Sequence, residues 1–255
     1  MRRMFVALLL VAGTGCSTLP EGQKATKPAT GPAEVRAGTV EEHARQFDEE
    51  EPVRLAGSQE ELAASAYVVA HLTDAGYVSR LDAVPVEDLV RSTNVVALPP
   101  SGAEPDVLVV VAYDSTATSE PAGLAIGVWL EVARALRAIE PEHSVQFVAL
   151  GAEHAPQEGG RLGSRRLARQ LTDEGRSPEV VVVEDVIEGD GPAAAAGAAA
   201  AAIEKEARSL GVEVRAAPAT SGAGEVFARA GFETTLVGGS AHALGPMLLS
   251  YLSTL

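Results

Sequence analysis

Residues 107–115 read VLVVVAYDS, an apolar run that ends abruptly in polar side chains. A run of Val and Leu without polar alternation is typical of a central strand covered on both faces. Residues 145–150 and 180–183 have the same character, and helical patterns lie between the runs at 126–139 and 162–171. Strands that alternate with helices predict a three-layer α/β/α sandwich with a mostly parallel central sheet.

Shorter patterns predict the remaining elements. Ser58 followed by Glu61 is a capping box that opens a helix, and Gly76 ends it. The apolar residues that recur at helical spacing in this helix are Leu62, Ala66, Val69 and Leu72. The Ala-rich stretch 193–210 is predicted as one helix because strong helix formers continue it. Further helices are expected at 41–47 and 247–252, and further strands at 77–81, 94–98, 212–216 and 234–237.

Composition bounds the class of protein. The chain has 255 residues, of which 46% are hydrophobic and 22% charged, so it can form one α/β domain with a sizeable core. Its formal net charge is −15. Because such an acidic surface repels phosphate backbones, no nucleic-acid partner is expected.

The N-terminus has the layout of an export signal. Arg2 and Arg3 precede an apolar run at 4–12 that is too short to span a bilayer, and small residues then lead into Cys16. The layout resembles a bacterial lipobox, so residues 1–16 are predicted to be a lipoprotein signal with lipidation at Cys16. The alternative is an ordinary signal peptide cut near Gly15.

This export prediction fixes the expected organisation and localisation. Residues 17–38 are rich in Pro, Gly, Thr, Lys and Ala and are predicted to be a flexible tether. Residues 39–255 are predicted to form the folded domain. The membrane is therefore an expected partner through the lipid anchor, and because Ser17 follows the cysteine, the periplasmic side of the outer membrane is the expected location.

Seven short segments carry a resemblance to a known family. In chain order they are RLAGS at 54–58, STNVVA at 92–97, VVVAYDS at 109–115, FVALGAE at 147–153, LGS at 162–164, VEDVI at 183–187, and Ser221 followed by Phe227, Gly231 and Phe232. In this order they resemble the zinc aminopeptidases, family twenty-eight of the metallopeptidases. The resemblance runs from about residue 53 to residue 242 and implies a zinc-peptidase-like fold.

The resemblance also implies a set of site residues. The family holds two zinc ions with five ligands, one of them a bridging carboxylate, and uses a further Glu as general base. Carried over, Glu153 is the remnant general base and Asp114 is the carboxylate that would orient the first ligand. The candidate metal ligands are His154, Asp185 and His242.

Three of the five ligand positions depart from the pattern. Ala112 stands where the first His is expected, and neither Gly123 nor Leu124 can supply the bridging carboxylate. His154 replaces the ligand Glu. Without a shared anion, two dications close together repel each other, so a paired site is not expected. The cofactor expectation is at most one zinc ion, with no metal as the equal alternative.

Two functions follow as alternatives. One is a lipid-anchored, non-catalytic domain, or one of much reduced peptidase activity, that binds a peptide or a cell-envelope protein. The other is an active zinc-dependent aminopeptidase that uses one metal with altered ligands. Metal content discriminates between them, because a lone Glu without a metal cannot hydrolyse a peptide bond at a useful rate.

Overall fold

The computed structural model of the protein describes residues 33–50, 52–116, 122–139, 141–217 and 222–255. The predicted signal, Cys16, most of the predicted tether and Ser221 lie outside these residues. The helices are α1 (Ala37–Glu50), α2 (Gln59–Asp74), α3 (Gly123–Leu136), α4 (Leu162–Asp173), α5 (Ala200–Ser209), α6 (Gly222–Arg229) and α7 (Ala241–Ser253). The strands are β1 (Val78–Pro85), β2 (Arg91–Leu98), β3 (Val107–Ala112), β4 (Val145–Leu150), β5 (Glu179–Ile187), β6 (Ala193–Gly197), β7 (Val214–Ala216) and β8 (Thr234–Ser240).

The strands form one mixed sheet in the order β1-β2-β4-β3-β5-β8-β6-β7. The four central strands β4, β3, β5 and β8 are parallel, and β2 and β6 flank them in antiparallel pairings. Because β4, β3 and β5 run in the same direction, their carboxyl ends lie at one edge of the sheet. The predicted α/β/α sandwich is confirmed.

The central strands divide the core into two layers by simple alternation. On β3, Val109 and Val111 pack under α1, α2, α3 and α7, whereas Leu108 and Val110 pack under α4 and α6. All four side chains are fully buried. Each such side chain contributes roughly 1.5–3 kcal/mol relative to an exposed one. Burial on both faces explains why this strand shows no polar alternation.

The predicted single helix over residues 193–210 is wrong. The structure divides it into β6 and α5, with a turn between them. Strand β6 pairs with β8, where Ala193 lies opposite Gly239 and Ala194 opposite Gly238. A Cβ on Gly239 would lie 2.5 Å from the carbonyl oxygen of Pro192, so the chains approach very closely there. Pairing in the sheet thus overrides the helix propensity of alanine.

The apolar face predicted for α2 is wrong at Leu62 and Ala66, whereas Leu72 is buried and Val69 packs half-buried against the core. Leu62 is 64% exposed, and the buried residues are Glu61, Ala64, Ser65, Val68 and Leu72. The Ser58 cap is present, since its Oγ accepts a bond from the Glu61 N–H. The Glu61 carboxylate accepts bonds from Gly57 N–H, Ser92 Oγ–H and Ala152 N–H. This polar network, which hydropathy cannot register, sets the rotation of the helix.

Helix α1 lies against α3 at two glycines one turn apart. A Cβ on Gly123 would lie 2.5 Å from the carbonyl oxygen of Ala44, and one on Gly127 would lie 2.5 Å from that of Val40. The two backbones therefore meet without intervening side chains. Among the described helices, none has the length and apolar composition needed to cross a bilayer.

Candidate functional site

A cavity of about 450 Å³ opens at the carboxyl ends of β3, β4 and β5. Open α/β sheets place their binding sites at this edge, because the loops that leave parallel strands diverge there. Its polar lining residues are Asp114, Ser115, Glu153, His154, Arg161, Glu184 and Asp185. Four of the five candidate residues, Asp114, Glu153, His154 and Asp185, are thus brought together.

The imidazole of His154 is bound to Asp114. Asp114 Oδ1 lies 3.3 Å from His154 Nδ1, and Oδ2 accepts a 2.7 Å bond from the His154 backbone N–H. The hydrogen bond to Asp114 raises the pKa of the His154 imidazole above its usual value, against the opposing effect of burial. The resemblance implies that Asp114 orients the first metal ligand. In this chain Asp114 binds His154 instead.

Glu153 is fully buried and bonded to the start of α4. Its Oε1 accepts a 2.6 Å bond from the Ser164 N–H, and its Oε2 accepts a 3.0 Å bond from the Ser164 hydroxyl. Gly163 permits this approach, since a Cβ there would lie 3.2 Å from Glu153 Oε1 and collide with the Gly151 carbonyl. Burial raises the pKa of the Glu153 carboxyl to about 7, and Asp114 adds to the rise. Glu153 is positioned by these bonds at the wall of the cavity.

Glu184 is a site residue that the sequence analysis did not single out. Its Oε1 is buried and has no hydrogen-bond partner among the described residues. Burial, together with the neighbouring Asp185 and Glu153, raises the pKa of the Glu184 carboxyl to about 7. The alternation of β5 could have identified it, because residues 180, 182 and 184 share one face of the strand.

Backbone strain is concentrated around the cavity. Among the described residues, three non-glycine residues have positive φ: Ala152 at 55°, Arg161 at 63° and Asp185 at 53°. They flank or line the same cavity, and the Arg161 N–H donates to the Glu153 carbonyl at 2.9 Å. Such conformations cost of order 1–3 kcal/mol each and persist where surrounding contacts enforce them, which is most often at functional sites.

His242 does not join the other candidate ligands. It lies near the start of α7, where Nδ1 is 3.3 Å from Asp190 Oδ1 and Nε2 is 3.2 Å from Glu41 Oε1. Its side chain is 40% exposed, and it does not line the cavity. These ion pairs raise the pKa of the His242 imidazole. The predicted grouping of His242 with His154 and Asp185 is therefore wrong.

The bridging carboxylate is expected at position 123 or 124, at the start of α3, but the residues of this stretch that line the cavity are two alanines. Ala122 and Ala125 line it, whereas Gly123 faces α1. The Gly123 N–H donates to the Asp48 carboxylate at 3.1 Å, so a residue of α1 caps α3. An aspartate at 123 would collide with Ala44 and Asp48.

The described residues do not fit a zinc centre. Among them, no group of three or more His, Cys, Asp or Glu side chains has an arrangement that could hold a metal ion. The reasons are local: Ala112 has no donor atom, Asp114 is bound to His154, and Glu153 is bound to Ser164. Zinc sites in proteins use three or four protein ligands, and the described cavity does not assemble that number.

The chain matches a known family over more than half its length. The model of "Peptidase family M28" matches residues 94–235, which span β2 to β8 and include every polar residue of the cavity wall. Among curated proteins, none matches the sequence.

Solved structures with the same fold carry different activities in their names. A protein from Bacteroides vulgatus described as a zinc-dependent exopeptidase is 16% identical, with a TM-score of 0.73, covering 87% of this chain and 97% of its own. A leucine aminopeptidase precursor from Bacteroides thetaiotaomicron is 14% identical, with a TM-score of 0.70, covering 87% and 98%. A glutaminyl cyclase from Porphyromonas gingivalis is 15% identical, with a TM-score of 0.72, covering 86% and 98%. These likenesses establish the fold.

Proposed function

The chain belongs to peptidase family M28, and from this premise we propose that its cavity binds the free amino end of a peptide without hydrolysing it. The observation that carries the proposal is Glu184 Oε1, a buried carboxylate oxygen without a hydrogen-bond partner among the described residues. A buried acceptor left unpaired costs about 1–3 kcal/mol, so a donor from a ligand would recover that cost.

The charge of the cavity favours a cationic donor. Asp114, Glu153, Glu184 and Asp185 line it, against the cations Arg161 and His154. Even with His154 protonated, ionisation of the four carboxyls leaves an excess of negative charge. A protonated amine can supply up to three hydrogen bonds to such groups. In a partly dehydrated cavity a charge-assisted bond of this kind is about twice as strong as a neutral one.

The lack of a fitting metal set argues against hydrolysis. Glu153 alone has no means to acidify a water or to polarise a carbonyl, so it cannot act as a general base on a peptide bond at a useful rate. The neighbours with this fold are named for exopeptidase, aminopeptidase and glutaminyl cyclase activities. Since one fold carries several chemistries, the residues present in the cavity decide the proposal.

A matched pair of peptides tests the proposed binding. The tripeptide Leu-Gly-Gly is expected to bind the full chain at least about tenfold more tightly than N-acetyl-Leu-Gly-Gly, because acetylation removes the charge and two of the donors. Isothermal titration calorimetry at neutral pH measures both affinities. Equal affinities would remove the role of the amine, and release of free leucine would remove the non-catalytic proposal.

The variant Glu184→Gln assigns the effect to a side chain. It keeps the size of Glu184 but removes its charge, so the preference for Leu-Gly-Gly over the acetylated peptide should fall to less than about threefold. The control is Glu188→Gln, which removes one exposed carboxylate four residues further along. A preference that survives Glu184→Gln unchanged would contradict the assignment.

We also propose that a lipid on Cys16 anchors the protein to the cell envelope. The support is the sequence alone: the charged start, the short apolar run and the sole cysteine at its end. Replacing Cys16 with Ser should release the protein from the membrane fraction and change its processing, as followed by fractionation and intact-mass measurement. A protein that stays membrane-bound and is processed as before would contradict the anchor.

A further inference from the structure

Two histidines and a tyrosine form a partly buried cluster between α1 and α2, apart from the cavity. The rings of His43 and His71 meet edge to face with centroids 4.6 Å apart. The hydroxyl of Tyr67 lies 2.8 Å from His43 Nδ1, and its ring lies 4.3 Å from that of His71. His43 is only 7% exposed. Two imidazoles this close together, one of them buried, are stable when neutral and repel each other when both are protonated.

The anion that faces the cluster from α3 is already paired. Glu131 of α3 is the nearest anion to His43 from that helix, and it is held by Arg36 at 2.8 Å and Arg134 at 2.8 Å. These partners lower the pKa of the Glu131 carboxyl to about 2, so it stays ionised in mild acid. The other charged groups near the cluster are Glu42 on α1 and Asp74 on α2, and Glu41 on α1 pairs with His242 of α7.

Helix α1 also connects this cluster to the cavity. Its Asp48 accepts the bond from the Gly123 N–H at the start of α3, next to Ala122 in the cavity wall. The backbones of α1 and α3 touch at Gly123 and Gly127, and His43 Cβ lies within the second contact. A shift of α1 away from α2 would therefore open the glycine contact and release the cap at Gly123.

We propose that α1 is an acid-sensitive clamp, which protonation of His43 and His71 loosens from α2 and α3 and thereby from the wall of the cavity. The pH-dependent contact thus involves α1, the helix that follows the predicted tether. The expected effect of this loosening on ligand binding rests on the proposed function above. The movement of α1 itself does not.

The direction and size of the effect follow from the docked and undocked states. Burial, together with the neighbouring His71, lowers the pKa of docked His43 to about 4, while an undocked imidazole has a pKa near 6.5. The pKa of His71 is lowered as well, mainly by burial. Docking thus excludes protons, so it weakens as pH falls below about 6.5 and is fully supported above that. Between about pH 7.5 and pH 5, His43 alone shifts the equilibrium roughly thirtyfold toward the undocked state.

Hydrogen exchange of the ligand-free full chain in mild detergent measures this shift. After correction for intrinsic exchange rates, protection of the α1 amides and of the Gly123 amide should fall roughly thirtyfold between about pH 7.5 and pH 5. Protection of α4, on the other face of the sheet, should change less than about threefold. An α1 that loses no more protection than α4 would overturn the proposal, whatever the peptide measurements give.

Two variants assign the effect. His43→Gln should reduce the pH-dependent loss in α1 to less than about threefold, because the buried titrating group is gone. His143→Gln, which changes an exposed histidine outside the cluster, should leave the thirtyfold loss intact. If His43→Gln does not fold, His71→Gln takes its place and should reduce the loss, since it removes one titrating ring and its repulsion. A loss in these cluster variants as large as in the wild type would also overturn the proposal.

Discussion

Replacing Gly127 with Ala is expected to lower the free energy of unfolding by about 2–3 kcal/mol, although alanine is the better helix former. The added Cβ would lie 2.5 Å from the carbonyl oxygen of Val40, so α1 and α3 would have to separate. The carbonyl oxygen belongs to the helix backbone and a Cβ has no alternative rotamer, so neither atom can turn away. Urea unfolding followed by circular dichroism measures the loss, which for a domain of this size should lower the Tm by roughly 5–10 °C.

Gly38→Ala is the matched control for this substitution. Gly38 lies in α1, is exposed, and has no atom within 4 Å of an added Cβ. There the helix propensity of alanine should dominate and raise the stability by roughly 0.5–1 kcal/mol. If Gly127→Ala were neutral or stabilising like Gly38→Ala, the close approach of α1 to α3 would be wrong, and with it the clamp.

The strands that could be predicted from sequence are those covered on both faces. Residues 107–112 and 145–150 are apolar at every position because both alternating faces meet helices, which leaves a signal in the sequence itself. Strand β6 left no such signal. Its alanines form a strand only because the glycines at the end of β8 let the backbones approach closely. Such a reason lies in the partner strand and cannot be read from the alanine run.

Part of the site could likewise be predicted from the sequence, and part could not. Asp114, Glu153 and Asp185 could be placed near one another because each lies at or just beyond the carboxyl end of a strand, and these strands run parallel to one another. The bond from Asp114 to His154 and the turn of Gly123 toward α1 could not, since each depends on contacts between distant segments. His242 shows that the order of motifs along the chain is not enough to identify a metal ligand. It stands where the order of the motifs predicts a ligand, yet Glu41 and Asp190 bind its imidazole.

The wild-type chain is expected to bind well below one zinc ion and to show no measurable aminopeptidase turnover. Of the positions assigned to ligands, Ala112 has no donor, His154 is bound to Asp114 in the cavity wall, and His242 is bound to carboxylates outside the cavity. Among the described residues Asp185 is then left without the partners that a zinc site needs, and one carboxylate does not hold zinc against water. A bound metal ion contributes several kcal/mol of transition-state stabilisation to hydrolysis, and a chain without its ligands loses that contribution.

A pair of substitutions should move the chain back toward metal binding. Ala112→His with His154→Glu returns one imidazole to the cavity and removes the imidazole that now occupies Asp114. This double variant is expected to retain more zinc than the wild type, although a paired site would still lack its bridge. Adding Gly123→Asp should not help, because that side chain would collide with Ala44 and Asp48.

The proposal that the cavity is non-catalytic is tested by two measurements on the wild-type chain, purified without chelators. Elemental analysis gives its zinc content, and an assay with leucine p-nitroanilide gives its aminopeptidase turnover. We expect well below one zinc ion per chain, turnover at background, and no difference between the wild type and Glu153→Ala in that assay. One or more zinc ions per chain, together with turnover that disappears in Glu153→Ala, would contradict the proposal and make the protein an aminopeptidase with an altered metal site.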